Sequence, residues 1–161
     1  MPLPTSITTR LEYQHKSLID IIEGLSDEQV RRQVIPGKWS IFENIVHMAI
    51  SEHVFIYRFQ KILTEENPEI ERYSAEADPF FYDNCTKSTR EIMQDLIATR
   101  REIIDKLHSV KDEDIQRTGV HPVYGTMNLL QWMNFFVLHE AHHLFTIFKL
   151  VPELRNQQLN L

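Results

Sequence analysis

Ser40-Ile41-Phe42-Glu43 opens a stretch in which Ile41, Ile45, Met48, Phe55, Phe59 and Ile62 return at intervals of three, four or seven residues. A serine followed three residues later by a glutamate is a capping box, in which each side chain satisfies the other residue's backbone N–H at a helix start. Apolar residues at those intervals share one face of a 3.6-residue helix. The same pattern recurs three times. Leu11, Leu18, Ile21, Ile22 and Leu25 predict a helix over about 6–23, with Gly24 as its stop. Ile92, Leu96, Ile103, Ile104 and Leu107 predict one over about 86–108, and a last one runs over about 128–150, with Pro152 just beyond. Ser26-Asp27-Glu28-Gln29 is a second capping box and predicts a short helix between the first two. Residues 64–84 are polar and acidic and contain Pro68 and Pro79, so they read as a long crossover loop with room for one short helix. Gly119, Pro122 and Gly125 make 117–126 a loop. No run alternates apolar and polar residues at strand spacing, so the expected fold is all-α: a four-helix bundle in one domain spanning 1–161.

Composition narrows the function. At 161 residues and 42% hydrophobic, the chain has enough apolar material for a core. A net charge of −6 without a Lys/Arg cluster argues against nucleic acid and anionic membranes as partners. The longest apolar runs are four residues, as in 54–57, too short to span a bilayer. Four glycines cannot build a phosphate-binding glycine loop. A single cysteine, Cys85, and an N-terminus without a charged and an apolar region predict a reducing, cytoplasmic setting.

Eight histidines are more than a chain of this length usually carries, and their positions matter more than their number. His139 and His143 lie four apart, on the stripe that also holds Trp132, Phe136, Ile147 and Leu150. That stripe should face the bundle interior, whereas His142 points to the flank. An isolated core histidine is most simply a hydrogen-bonded one. Two adjacent imidazoles on an apolar face cannot both be charged cheaply, and a divalent metal satisfies both in their neutral form. His47, at the edge of the second helix's apolar face, is the candidate third ligand. His53 reads as a surface residue; His15, His108 and His121 have no partner at metal spacing. His139-Glu140-Ala141-His142-His143 also fits the H-E-x-x-H pattern of zinc peptidases, with Glu140 as base. That chemistry needs a sheet and a second subdomain, which a helical chain does not offer.

Three segments together resemble the DinB/YfiT-like family. They are Pro36-Gly37-Lys38-Trp39-Ser40-Ile41 through Glu43 and His47, then Ser51-Glu52-His53 through Tyr57-Arg58, then Leu138-His139-Glu140-Ala141-His142-His143. The resemblance covers about residues 11–150. It implies a four-helix bundle in a mirror variant of up-and-down topology, with one divalent ion held by His47, His139 and His143. It implies zinc or nickel first, with iron or manganese as further options, since imidazole suits several metals. It further implies a small-molecule substrate, thiol transfer using a low-molecular-weight thiol such as mycothiol or bacillithiol, or metal-dependent hydrolysis, and a homodimer. A non-catalytic, metal-stabilised bundle or an interaction module is the alternative.

Other residues have plainer expectations. Glu43 is a cap, Glu140 is a solvated carboxylate, and Cys85 is a half-buried thiol just before the third helix. Trp39, Tyr57 and Trp132 are core aromatics that could also line a pocket mouth.

Overall fold

The computed structural model describes residues 3–159, with side chains through residue 156. The element order is α1 (Thr5–Tyr13), α2 (Ser17–Ile21), α3 (Asp27–Arg31), α4 (Ile41–Thr64), α5 (Pro79–Cys85), α6 (Thr89–His108), β1 (Thr118–His121), β2 (Gly125–Asn128) and α7 (Leu129–Leu159). Helices α4, α6, α7 and the bent α1–α2 unit form the four-helix bundle.

Helix starts follow local chemistry. Ser40 and Glu43 form the capping box of α4, and Ser26 and Gln29 that of α3. The α6 helix starts at Thr89 rather than near residue 86, because Ser88 and Glu91 form a third box. The remaining differences from the sequence reading come from tertiary contacts. The first helix is not continuous: a 3-10 turn at Gln14–Lys16 separates α1 from α2. That turn brings Gln14 and His15 onto buried partners in α7 and α6. Helix α7 does not stop before Pro152 but passes through it. A proline inside a helix costs about 3 kcal/mol. Here Leu150, Val151 and Leu154 around it are buried in the core, and that burial offsets the cost.

The stretch read as a plain loop over 117–126 is a short antiparallel hairpin, β1–β2, pairing Thr118 with Asn128 and His121 with Gly125. Strands of four residues are too short to show alternation in sequence. Gly125, at φ 71°, supplies the left-handed residue at the turn. The crossover segment docks beside β1: the Ile70 N–H donates to the Val120 carbonyl at 3.0 Å, and the Val120 N–H to the Pro68 carbonyl at 2.8 Å. The expected short helix within this crossover is α5.

The principal helix contacts are α4 with α6 and α7, and α1 with α7 and α6. The first and second long helices thus lie across the bundle from one another, as do the third and fourth. Short connections force consecutive helices to be neighbours. The connections over 22–40, 65–88 and 109–128 are all long enough to cross the bundle. No described helix is long and apolar enough to cross a membrane.

At the centre, Arg100 of α6 is fully buried between Glu52 of α4 and Glu140 of α7, both also buried. Its Nε donates to Glu52 at 2.9 Å and its Nη2 donates to both Glu52 and Glu140. Its Nη1 donates to the Leu11 carbonyl at 3.1 Å and to His15 Nδ1 at 3.2 Å. All five guanidinium N–H groups therefore have acceptors, and one side chain ties together all four walls of the bundle. Burial works against the Arg100 charge, but the hydrogen bonds and charges of the two carboxylates outweigh it.

Candidate metal centre

Helix α4 carries His47 and helix α7 carries His139 and His143, on faces that meet inside the bundle. His139 Nε2 lies 3.2 Å from His47 Nε2 and 3.3 Å from His143 Nε2. Among the described residues these three form the histidine group that could hold a metal, with ligand atoms all within 4.8 Å of one another. His47 and His143 are buried, and His139 is half-buried. The pair four residues apart and the distant third histidine thus come together as the sequence reading expects.

Hydrogen bonding fixes the tautomer of one ligand. Asn44, one turn before His47, donates through Nδ2 to the Ser40 carbonyl at 2.8 Å. Its Oδ1 must then face His143 Nδ1, 2.9 Å away, and accept the proton carried there. His143 Nε2 is left as a bare lone pair aimed at the other two rings. His139 Nε2 carries at most one proton, which can bond to only one of its two neighbours. Three clustered nitrogens with too few protons between them would be satisfied together by one cation. Donors at a zinc–nitrogen length of about 2.0–2.1 Å stand about 3.3–3.4 Å apart in a tetrahedron, close to the two spacings measured. His47 Nδ1 is buried without a hydrogen-bond partner among the described residues. Its ring is held instead by aromatic packing against Trp39 (5.0 Å between centroids) and Tyr73 (5.8 Å).

All three imidazoles are held neutral. Burial, then the neighbouring histidine charges, lowers His143 to about 2. Burial chiefly lowers His47 and His139 to about 4 each, with further contributions from His139 and His142 at His47, and from His142 and Arg58 at His139. Neutral imidazole is the ligating form.

Two hollows flank the centre. The one bordered by His47 and His139 has a volume of about 350 Å³. Its walls are two helical stripes: His47, Ser51, Val54 and Arg58 from α4, and Trp132, Phe135, Phe136 and His139 from α7. Positions spaced by three, four, seven and eleven share a helix face, which is why each helix delivers a continuous wall. The crossover adds Arg72, Tyr73 and Glu76, and the hairpin adds His121 and Tyr124. The other hollow, bordered by His143, Trp39 and Phe148, is wider and more apolar, about 840 Å³.

A family model described as the DinB superfamily matches residues 10–147. The chain belongs to the DinB superfamily. This DinB-superfamily chain is 27% identical over 127 residues to a "Putative metal-dependent hydrolase" of Bacillus cereus (strain B4264), covering 78% of the chain and 72% of that relative. A protein of the same name from Bacillus anthracis (strain A0248) matches to the same extent. Among solved structures, it is similar to YfiT from Bacillus subtilis, described as "a probable metal-dependent hydrolase with an unusual four-helix bundle topology". That likeness has a TM-score of 0.80 at 24% identity and covers 95% of this chain and 86% of YfiT. The four-helix bundle protein TT2238 matches with a TM-score of 0.63 at 18% identity, over 88% of this chain and 94% of that one.

The other expectations divide. His142 is exposed on the flank, and Glu43 is a cap, as expected. His53 is exposed, with Nε2 3.0 Å from Asp95 Oδ2. His121 turns inward and accepts at Nδ1 from the Val123 and Tyr124 N–H groups, so it braces the hairpin turn. Trp39 and Trp132 border the smaller hollow, but Tyr57 is exposed and lies outside it. Glu140 is not solvated: its two oxygens accept from Arg100 and from Gln14 (2.7 Å). With both oxygens occupied away from the histidines, it is not free to act as the base of an H-E-x-x-H peptidase. Cys85 ends α5 rather than preceding α6, so no helix N-terminus lowers its pKa, and burial raises it.

Asn44, Arg100, Tyr73 and Glu76 have no place in the sequence reading, and Arg58 enters it only as the end of one segment that carries the resemblance. Asn44 had a local signal, three residues before His47 and inside the capped first turn. Arg100 had none, because its partners lie 40 and 48 residues away.

Proposed function

We propose that this chain is a metal-dependent hydrolase acting on a small molecule bound in the 350 Å³ cavity beside His47 and His139. The observation that carries the reading is the convergence of three neutral imidazole nitrogens at spacings suited to one divalent ion, two of which, on His47 and His139, border that cavity. A divalent ion there supplies Lewis acidity and lowers the pKa of a bound water to about 7.

The protein's own groups have distinct tasks. Asn44 keeps the His143 proton on Nδ1. Trp39 and Tyr73 hold the His47 ring in place by packing. The aromatic side of α7 keeps bulk water from one wall of the cavity. Among the described residues Glu76 is the single carboxylate in the cavity lining, and its charge reaches His47. It is the group placed to accept a proton from an attacking nucleophile. A thiol nucleophile would use the same ligand set, since a metal favours thiolate over thiol.

The test begins with elemental analysis of the wild type and of the His47→Ala, His139→Ala and His143→Ala variants. About one equivalent of zinc or another divalent metal is expected in the wild type and none in the variants. The loaded protein is then assayed for release of acid from aryl esters, with and without added thiol. Turnover dependent on water and metal supports the hydrolase. Turnover only with thiol assigns thiol transfer instead. Full metal retention in all three variants refutes the site.

A further inference from the structure

Two arginines in this chain occupy opposite situations. Arg100 has an acceptor for every N–H and two carboxylates beside it. Arg58 is half-buried in the wall of the smaller cavity, yet among the described residues no carboxylate lies within ion-pair distance of it. Its hydrogen bond to protein is from Nη2 to the Glu71 carbonyl at 3.1 Å. A guanidinium has five N–H donors, so among the described residues most of its donors have no protein acceptor.

Its placement follows from the helix. Arg58 lies eleven residues, just over three whole turns, after His47 and therefore on the same face of α4. Helical side chains lean toward the N-terminus, so the Arg58 side chain leans back toward the histidines. Its guanidinium carbon lies 5.8 Å from the centroid of the Trp132 ring. His139 and His121 line the same cavity as Arg58. Arg72, also without a carboxylate partner among the described residues, adds a second guanidinium to the lining, against the single carboxylate of Glu76. Aromatic rings make up much of the remaining wall, among them Trp39, Tyr124, Trp132 and Phe135.

A half-desolvated, unpaired cation is costly unless an anion completes it. A planar fork of donors matches a carboxylate in two-point contact. We propose that the cavity binds a small molecule carrying a carboxylate, held by Arg58, with an apolar or aromatic body against the Trp132–Phe135 wall and its reactive end toward the histidine centre. This names the substrate class for the proposed hydrolase and rests on that reading for the cavity being the substrate site.

The test uses phenylacetate and its neutral counterpart phenylacetamide as probes, titrated calorimetrically into the metal-loaded protein and into Arg58→Met and Arg58→Lys. Phenylacetate should bind saturably, about 10- to 100-fold tighter than phenylacetamide, the difference expected of a charge-assisted pair. Arg58→Met should lose that factor, and Arg58→Lys should recover part of it. Equal affinity for the two probes, or no saturable phenylacetate binding, overturns the proposal. Unchanged phenylacetate binding in Arg58→Met also overturns it, because the carboxylate would then sit on the metal. If Arg58→Met does not fold, the wild-type ratio of the two probes and the Arg58→Lys variant decide. Metal content is measured on the same samples. Arg58-dependent binding in a protein that holds no metal defeats the hydrolase reading alone, whereas a metal-loaded protein indifferent to Arg58 defeats the carboxylate site alone.

Discussion

Replacing Arg100 with methionine keeps roughly the volume of the side chain and removes the cation shared by Glu52 and Glu140. Both carboxylates are almost fully buried, at 1% and 3% exposure, so neither can turn to solvent without moving a helix. Removing one partner of a buried ion pair costs about 3–5 kcal/mol. For a domain of this size about 1 kcal/mol moves the melting temperature by about 2–4 °C. The expected fall is therefore about 6–20 °C, measured by circular dichroism melts at pH 8.5. The pH dependence has a defined sign. Burial pushes the Glu52 carboxyl up to about 7, although Arg100 pulls it the other way. A folded-state value above the free one means that the contribution of this carboxyl to stability is fully present below its free value of 4.5 and is lost as pH rises through about 7. Without Arg100 the carboxyl is protonated still more readily, so the deficit of the variant should shrink between pH 8.5 and pH 7. A fall below about 2 °C, or a deficit that grows as pH is lowered, would refute the reasoning, because the two carboxylates would then be reaching water.

Three further outcomes are expected. Asn44→Ala should weaken metal affinity about 10- to 100-fold in competition with a chelating dye, and Asn44→Asp, which keeps the acceptor for His143, should retain most of it. The metal-free protein should lose stability as pH falls from about 6.5 toward 4, because the unfolded chain takes up protons that the folded histidines, held at about 4 or below, refuse. The loss for each buried histidine is about 1.4 kcal/mol per pH unit, read from melts at pH 7.5 and pH 5.5. Gly119→Ala should destabilise by about 1–3 kcal/mol in urea titrations, since its Cβ would stand 2.9 Å from Ile62 Cγ1 and 3.4 Å from Trp132 Nε1; an unchanged midpoint would show that Ile62 moves aside.

What the sequence by itself determined is what depends on neighbours a few residues apart. Helical periodicity, the capping boxes at Ser26 and Ser40 and the i, i+4 pair His139–His143 are local, and each is present as read. Even the unread box at Ser88 obeys the same rule. His47 was nominated by its place near an apolar face and by family resemblance, but its approach to His139 across 92 residues is a property of how α4 meets α7. Glu140 reads in sequence as an ordinary helix carboxylate, because nothing within a turn of it is its partner. Only packing supplies Arg100 and Gln14 and turns it inward. Pro152 reads as a stop because the local cost is visible and the core contacts that outweigh it are not. The hairpin, the crossover that pairs with it and the cavity they roof are likewise built from segments far apart in the chain. Local hydrogen bonding and side-chain spacing choose the helices. Burial decides which charges must be paired, which nitrogens must converge, and which cation, Arg58, is left open to a ligand.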